Sequence, residues 1–168
     1  MRIFFCGAQG TGKSTLVQLL AKKFPRMTIH DSMSALFMSN KDEQFTDSFQ
    51  NRVNVYCWNI FLNSDENIIM SRSIIDSLAM NKKSRDLNYI NGILDDCIRE
   101  NDYFFYLPIE FEISQREDGL RELSSEYQRA VGDSIFKIFL SFPSKKKYMI
   151  SGMINERFDQ ILKILSHD

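Results

Sequence analysis

The sequence predicts an α/β fold, a five-stranded parallel sheet held between two layers of helices. Three observations lead there. Residues Gly7 to Ser14 read Gly-Ala-Gln-Gly-Thr-Gly-Lys-Ser, a full match to G-x-x-x-x-G-K-[ST], between the apolar run 2–6 and the amphipathic stretch 15–24. That strand–loop–helix context is what gives the motif its meaning. Short apolar runs then alternate with longer stretches of helical periodicity, the pattern of βαβ units. Finally, the 168 residues show no repeat or linker-like segment and carry 43% hydrophobic side chains, enough for one domain over 1–168 with its own core.

The elements follow in order. Residues 2–6 are strand one, and helix one covers 13–24, closed by Pro25, which cannot continue a helix. Residues 27–30 form a short second strand ending at Asp31. Phe45, Phe49, Val53, Tyr56 and Ile60 recur at helical spacing, so 45–62 is a long amphipathic helix. That stripe, with Trp58 beside it, is read as packing surface rather than a base-stacking face. Residues 67–70 make a buried strand, followed at once by Ser71-Arg72-Ser73. Helical patterns cover 73–81 and 87–100, and a strand at 103–107 stops at Pro108. The stretch 115–125 is charged and aperiodic, an exposed loop. Ser124 caps a helix over 125–141, with Glu126 in its first turn, where the helix dipole favours an acid. A last strand, 148–150, and a last helix, 155–165, complete the chain.

In the loop, Gly7, Gly10 and Gly12 let the backbone turn tightly and aim its N–H groups at an anion, while the next helix points its positive end at the same place. Gln9, Gly10, Thr11, Gly12, Lys13, Ser14 and Thr15 are therefore the candidate contacts to a nucleoside triphosphate. Lys13 is expected to reach the β- and γ-phosphates, and Ser14 to offer its hydroxyl to Mg²⁺.

Ligands of such sheets sit outside the carboxyl ends of the strands. Those ends deliver Asp31, Arg72, the charged loop with Arg116 and Arg121, and Gly152. Arg72 either grips a phosphate in bidentate fashion or pairs with Asp76, four residues on. Asp31 either serves the chemistry, accepting a proton from an attacking hydroxyl or orienting Mg²⁺ through water, or caps a helix over 32–38; the two roles can coexist. The 115–125 loop suits a lid whose arginines close on bound phosphates, with Arg129 as a lesser third. Gln50, Arg52 and Asn59 are weaker candidates for hydrogen bonds to an acceptor base. Neither strand 67–70 nor strand 103–107 ends in an acid, since Ser71 and Pro108 follow them, so water activation is poorly supported and a kinase is favoured over a hydrolase.

The net charge of −1 argues against duplex nucleic acid as a partner, leaving it open, and against anionic membranes. Lys145-Lys146-Lys147 reads as solvated surface. Cys6, Cys57 and Cys97 have neither metal nor redox spacing and read as reduced thiols. The first residues read as a core strand rather than a cleaved leader, and no apolar run is long enough for a bilayer, so the expected location is cytoplasmic.

Taken in order, the phosphate loop, Ile68-Ile69-Met70-Ser71-Arg72-Ser73-Ile74-Ile75-Asp76, Pro108-Ile109-Glu110, Glu117-Asp118-Gly119-Leu120-Arg121 and Ile150-Ser151-Gly152 before Glu156-Arg157 resemble the small P-loop nucleoside and nucleotide kinases. The likeness is greatest to their phage-encoded, NadR-type ribosylnicotinamide kinase-like branch, and it spans nearly the whole chain. It implies a three-layer P-loop NTPase fold with strand order 2-3-1-4-5, an acceptor-binding helical region about 32–65 and a lid about 115–125. It also implies that the segment around Gly152 borders the adenine, through backbone at 151–153. Ser71 stands where Asp or Glu is usual in the family; if that acid serves as base or magnesium ligand in relatives, Asp31 or Asp76 must replace it, or activity is weak. The expected activity is ATP- and Mg²⁺-dependent phosphorylation of a (deoxy)nucleoside monophosphate or related nucleoside by a monomer or homodimer. Two alternatives are a kinase acting on a hydroxymethyl-pyrimidine base in phage DNA and a nucleotide-gated binding module with little turnover.

Overall fold

The computed structural model describes residues 1–31, 46–64, 67–80, 94–110 and 125–167. Its elements are β1 (Arg2–Cys6), α1 (Lys13–Lys23), β2 (Thr28–His30), α2 (Asp47–Asn63), β3 (Ile68–Met70), α3 (Ile74–Met80), β4 (Asp102–Tyr106), α4 (Ser125–Ser141), β5 (Lys147–Met149) and α5 (Ile154–His167). These bounds lie within one to three residues of those expected from periodicity, and residues 94–97 are helical as well.

All five residues of β1 are buried, as the central strand of a sheet covered on both faces must be. The sheet is parallel with order β2-β3-β1-β4-β5, and Arg2 lies level with Ile68 on one side and Asp102 on the other. Successive side chains of a strand point to opposite faces. Phe4, Cys6, Met70, Phe104 and Tyr106 accordingly join one core with α2, α3 and α4, whereas Ile3, Phe5, Ile69, Phe105 and Leu107 join another with α1 and α5. The result is the expected three-layer sandwich.

α2 begins at Thr46, whose hydroxyl accepts the Phe49 N–H at 3.2 Å. It buries Phe49, Val53, Cys57 and Phe61, each one turn beyond the last, with Tyr56, Trp58 and Ile60 packed alongside. The aromatic stripe is packing, as its period suggested.

Two polar features were hidden in the sequence. Arg2 and Asp102, both about 1% exposed, form a two-pronged pair at the amino ends of β1 and β4, with Arg2 Nε donating to Asp102 Oδ1 at 2.6 Å. Arg2 Nη1 also donates to Phe61 O at 2.6 Å, and its guanidinium lies over the Phe4 and Phe61 rings. The basic run is also not uniformly solvated. Lys145 is exposed, but Lys146 donates to Tyr103 Oη at 3.0 Å. Lys147 donates to the carbonyls of Phe139, Leu140 and Phe142 at 2.6–3.0 Å, closing the carboxyl end of α4. Burial there holds its amine below the ordinary lysine value.

Candidate functional site

The phosphate loop joins β1 to α1 and needs glycine at two places for steric reasons. Gly7 has φ +140°, and a Cβ there would lie 2.5 Å from the Leu107 carbonyl oxygen. Gly12 has φ +89°, and a Cβ there would lie 2.9 Å from Ile154 Cδ1. Both positions combine a left-handed backbone with a neighbour too close for a side chain. Four carbonyls of the loop are held by side-chain donors. Lys13 Nζ reaches Gly7 O and Ala8 O at 2.6 Å each, and Thr11 Oγ1 reaches Ala8 O at 2.9 Å. Gln128 Nε2 donates to Gln9 O at 2.6 Å, and Arg157 Nη1 to Thr11 O at 2.6 Å. With its carbonyls engaged, the loop keeps N–H groups to offer an anion, and Gly10, Ser14 and Thr15 are exposed.

The magnesium-side candidates meet. Ser14 Oγ donates to Asp31 Oδ1 at 2.8 Å, and Gln18 Nε2 donates to Asp31 Oδ2 at 3.2 Å. A hydroxyl and a carboxylate this close are hard oxygen donors of the kind Mg²⁺ takes while keeping its waters. Beside them, His30 bonds Tyr56 Oη at 3.1 Å, and burial lowers its pKa, so it adds no charge at neutral pH. Among the described residues no three His, Cys, Asp or Glu cluster as a closed metal cage.

At the end of β3, the two readings of Arg72 separate. Arg72 Nη2 donates to Gln50 Oε1 at 3.2 Å and to Asn54 Oδ1 at 3.4 Å rather than to Asp76, and its Nε is buried without a partner. Asp76 is occupied elsewhere. Its Oδ1 accepts Gly7 N–H at 3.0 Å, and its Oδ2 accepts Ser73 N–H at 2.9 Å and Ser73 Oγ at 2.8 Å. This carboxylate therefore ties the first turn of α3 to the first residue of the loop. The Cys6 thiol beneath is pushed well up, first by burial and then by Asp76, with Lys13 and Ser73 pulling the other way. Asp76→Asn puts an amide N–H against these donors and is expected to cost roughly 1–3 kcal/mol, seen as a lower urea midpoint with an unchanged m-value.

Around Gly152 (φ +96°) the backbone is bonded by the protein itself. Gly152 N–H donates to Glu110 Oε2 at 2.7 Å and Met153 N–H to Glu156 Oε2 at 2.7 Å. Ser151 O accepts from Gln160 Nε2 and Gly152 O from Arg157 Nε, both at 2.7 Å. What the turn leaves exposed is apolar, chiefly Met153, 60% exposed. Burial alone would raise the Glu110 carboxyl, but hydrogen bonds from Arg157 and Gly152, with the Arg157 charge, hold it below the ordinary glutamate value.

Arg116, Arg121 and the lid about 115–125, except Ser125 itself, lie outside the described residues, as do Ser124, residues 32–38 and much of the 32–65 region. Arg129 is exposed on α4, while its neighbour Gln128, 3% exposed, faces the loop. Of the three acceptor-base candidates, Gln50 stands beside Arg72, whereas Arg52 and Asn59 are exposed. Sequence reasoning missed Gln128 and gave Asp76 and Arg157 no part in holding the loop. Gly132 was a usable signal, because a glycine inside a helix marks close approach, here to Ile109 and Ala8.

Residues 3–94 match the family model described as RNA helicase. No curated protein matches the sequence. Among solved structures, the deoxyadenosine kinase of M. mycoides with products dCMP and a flexible dCDP bound superposes with a TM-score of 0.73 at 17% identity, over 100% of both chains. The same enzyme with bound dATP gives 0.63 at 18% identity, over 99% of both chains. The YorR protein of Bacillus subtilis in complex with phosphorylated GDP gives 0.64 at 16% identity, covering 99% of this chain and 96% of that one. The five-stranded α/β/α fold is thus shared along the full length of these proteins. Among the described residues no helix is long and apolar enough to cross a membrane.

Proposed function

Starting from a chain that belongs to the RNA helicase family, we propose that it is a P-loop kinase, transferring the terminal phosphoryl group of ATP to a nucleoside monophosphate, deoxynucleotides foremost. The observation that carries this reading is the end of β3, where buried Ser71 stands in place of an acid and Arg72 is held by neutral amides, with one N–H unused. A nucleoside hydroxyl needs a base to take its proton. A monophosphate oxygen is already ionised near neutral pH, because its second pKa is about 6, and an arginine suits it better than a carboxylate does. The fold is supporting context for nucleotide binding alone, since its structural neighbours hold dCMP as a product, dATP and phosphorylated GDP.

In this reading the loop N–H groups and Lys13 hold the β- and γ-phosphates, Ser14 and Asp31 hold Mg²⁺, and Arg72 holds the acceptor phosphate. Mg²⁺ held there would supply charge neutralisation on the phosphates. The protein's own task is alignment, with cations placed where charge spreads. The lid arginines Arg116 and Arg121 are proposed to join from the third side, and a backbone contact at Gly152 reduces to Ser151 N–H and the apolar face of Met153.

The family description favours a second reading, nucleotide hydrolysis coupled to work on RNA. Against it, neither β3 nor β4 is followed by an acid that polarises water; Ser71 and Leu107-Pro108 follow them. One assay separates the readings: ADP release with no acceptor, RNA, hydroxymethyl-pyrimidine DNA, nucleosides and monophosphates. The expected result is ADP formation with a monophosphate, abolished by chelating Mg²⁺, and at least about tenfold slower with nucleosides. Arg72→Gln should lower kcat/KM for the acceptor by about ten- to a hundredfold, leaving ATP affinity unchanged. Equal ADP release without an acceptor or with RNA would overturn the kinase reading, and ATP binding without turnover would leave a gated binding module.

A further inference from the structure

The Arg157 guanidinium, 1% exposed on α5, gathers the loops that leave three different strands. It donates to Thr11 O in the phosphate loop at 2.6 Å, to Gly152 O after β5 at 2.7 Å, and after β4 to Pro108 O at 3.3 Å and Glu110 Oε2 at 2.6 Å. The same Glu110 oxygen accepts Gly152 N–H at 2.7 Å. A buried guanidinium is tolerable only when a counter-charge and full hydrogen bonding compensate it. These four acceptors all lie at the carboxyl edge of the sheet, where ligands bind.

We infer that Arg157, locked by Glu110, is a positioning residue for the donor nucleotide: it sets the orientation of the Thr11–Gly12 peptide in the phosphate cradle. A trans peptide points its C=O and the following N–H in opposite directions. Holding Thr11 O against α5 therefore turns Gly12 N–H away from α5, one residue before Lys13. A planar fork reaching several carbonyls at once is a shape that lysine cannot reproduce. The inference rests on triphosphate binding by the loop, part of the reading above, and does not depend on which acceptor is used.

The test measures Mg·ATP and monophosphate binding calorimetrically on Arg157→Lys and Glu110→Gln, beside melting curves. The dissociation constant for ATP is expected to rise about tenfold or more in Arg157→Lys and about threefold in Glu110→Gln, with monophosphate affinity within about twofold. Glu110 faces solvent more than Arg157 does, so Glu110→Gln retains a folded protein for the decision if Arg157→Lys does not fold. Unchanged ATP affinity in Glu110→Gln, or equal weakening of both ligands, would reduce the tie to a structural brace and overturn the inference. Because ATP binding needs no turnover, a wild-type protein that binds ATP but phosphorylates nothing would sink the kinase reading alone.

Discussion

Lys13→Ala is expected to reduce phosphoryl transfer by roughly a thousandfold or more, the scale on which a cation at the transferred group acts, while the fold survives. The ammonium already sits in the cradle, 2.6 Å from Gly7 O and from Ala8 O. Those carbonyls are not its dependants. Ala8 O keeps the Thr11 hydroxyl, and the loop opens to solvent at Gly10, so water can replace the amine at Gly7 O. The melting temperature should move by no more than about 2–4 °C, the equivalent of about 1 kcal/mol at this size. A coupled ADP assay at saturating acceptor, beside a melting curve, checks both halves. Activity within tenfold of wild type would remove Lys13 from the chemistry.

The largest stability effect is expected at the opposite edge of the sheet. Asp102→Ala should cost about 3–5 kcal/mol, a large share of the roughly 5–15 kcal/mol that holds an ordinary domain. The carboxylate accepts two bonds from Arg2 and the Arg99 N–H at 3.0 Å, and removing it leaves a buried guanidinium with Phe61 O as its close acceptor. Replacing both members, as in Arg2→Met with Asp102→Leu, should cost much less than the single change, because no charge is then stranded. Urea denaturation of Arg2→Met, Asp102→Leu and the double closes the cycle. Additive losses would mean that Arg2 and Asp102 contribute independently.

The fold was legible because its signals are local. Apolar runs three to five residues long marked four of the five strands, β2 showing only Met27 and Ile29, and helical spacing from Phe45 to Ile60 marked α2. The order of the strands followed from resemblance rather than from any run of residues. Arg2 escaped notice because it opens an otherwise apolar strand, and Asp102 because it precedes the apolar stretch of β4. Lys147 sits in a run that looks solvated, yet the end of α4 draws its ammonium onto three carbonyls.

By itself, the sequence determined the glycine-rich loop, since eight adjacent residues hold both the required glycines and the lysine and serine at its end, and short-range geometry needs no distant partner. Tertiary structure alone decided how that loop is held: Asp76 on Gly7, Gln128 on Gln9 and Arg157 on Thr11, from 69 to 146 residues away. It also decided that Arg72 faces Gln50 and Asn54 rather than Asp76. Such partners have no period and no fixed spacing. A polar side chain shows which atom it will satisfy only once the sheet has brought the two within 3 Å and excluded the water that would otherwise have served.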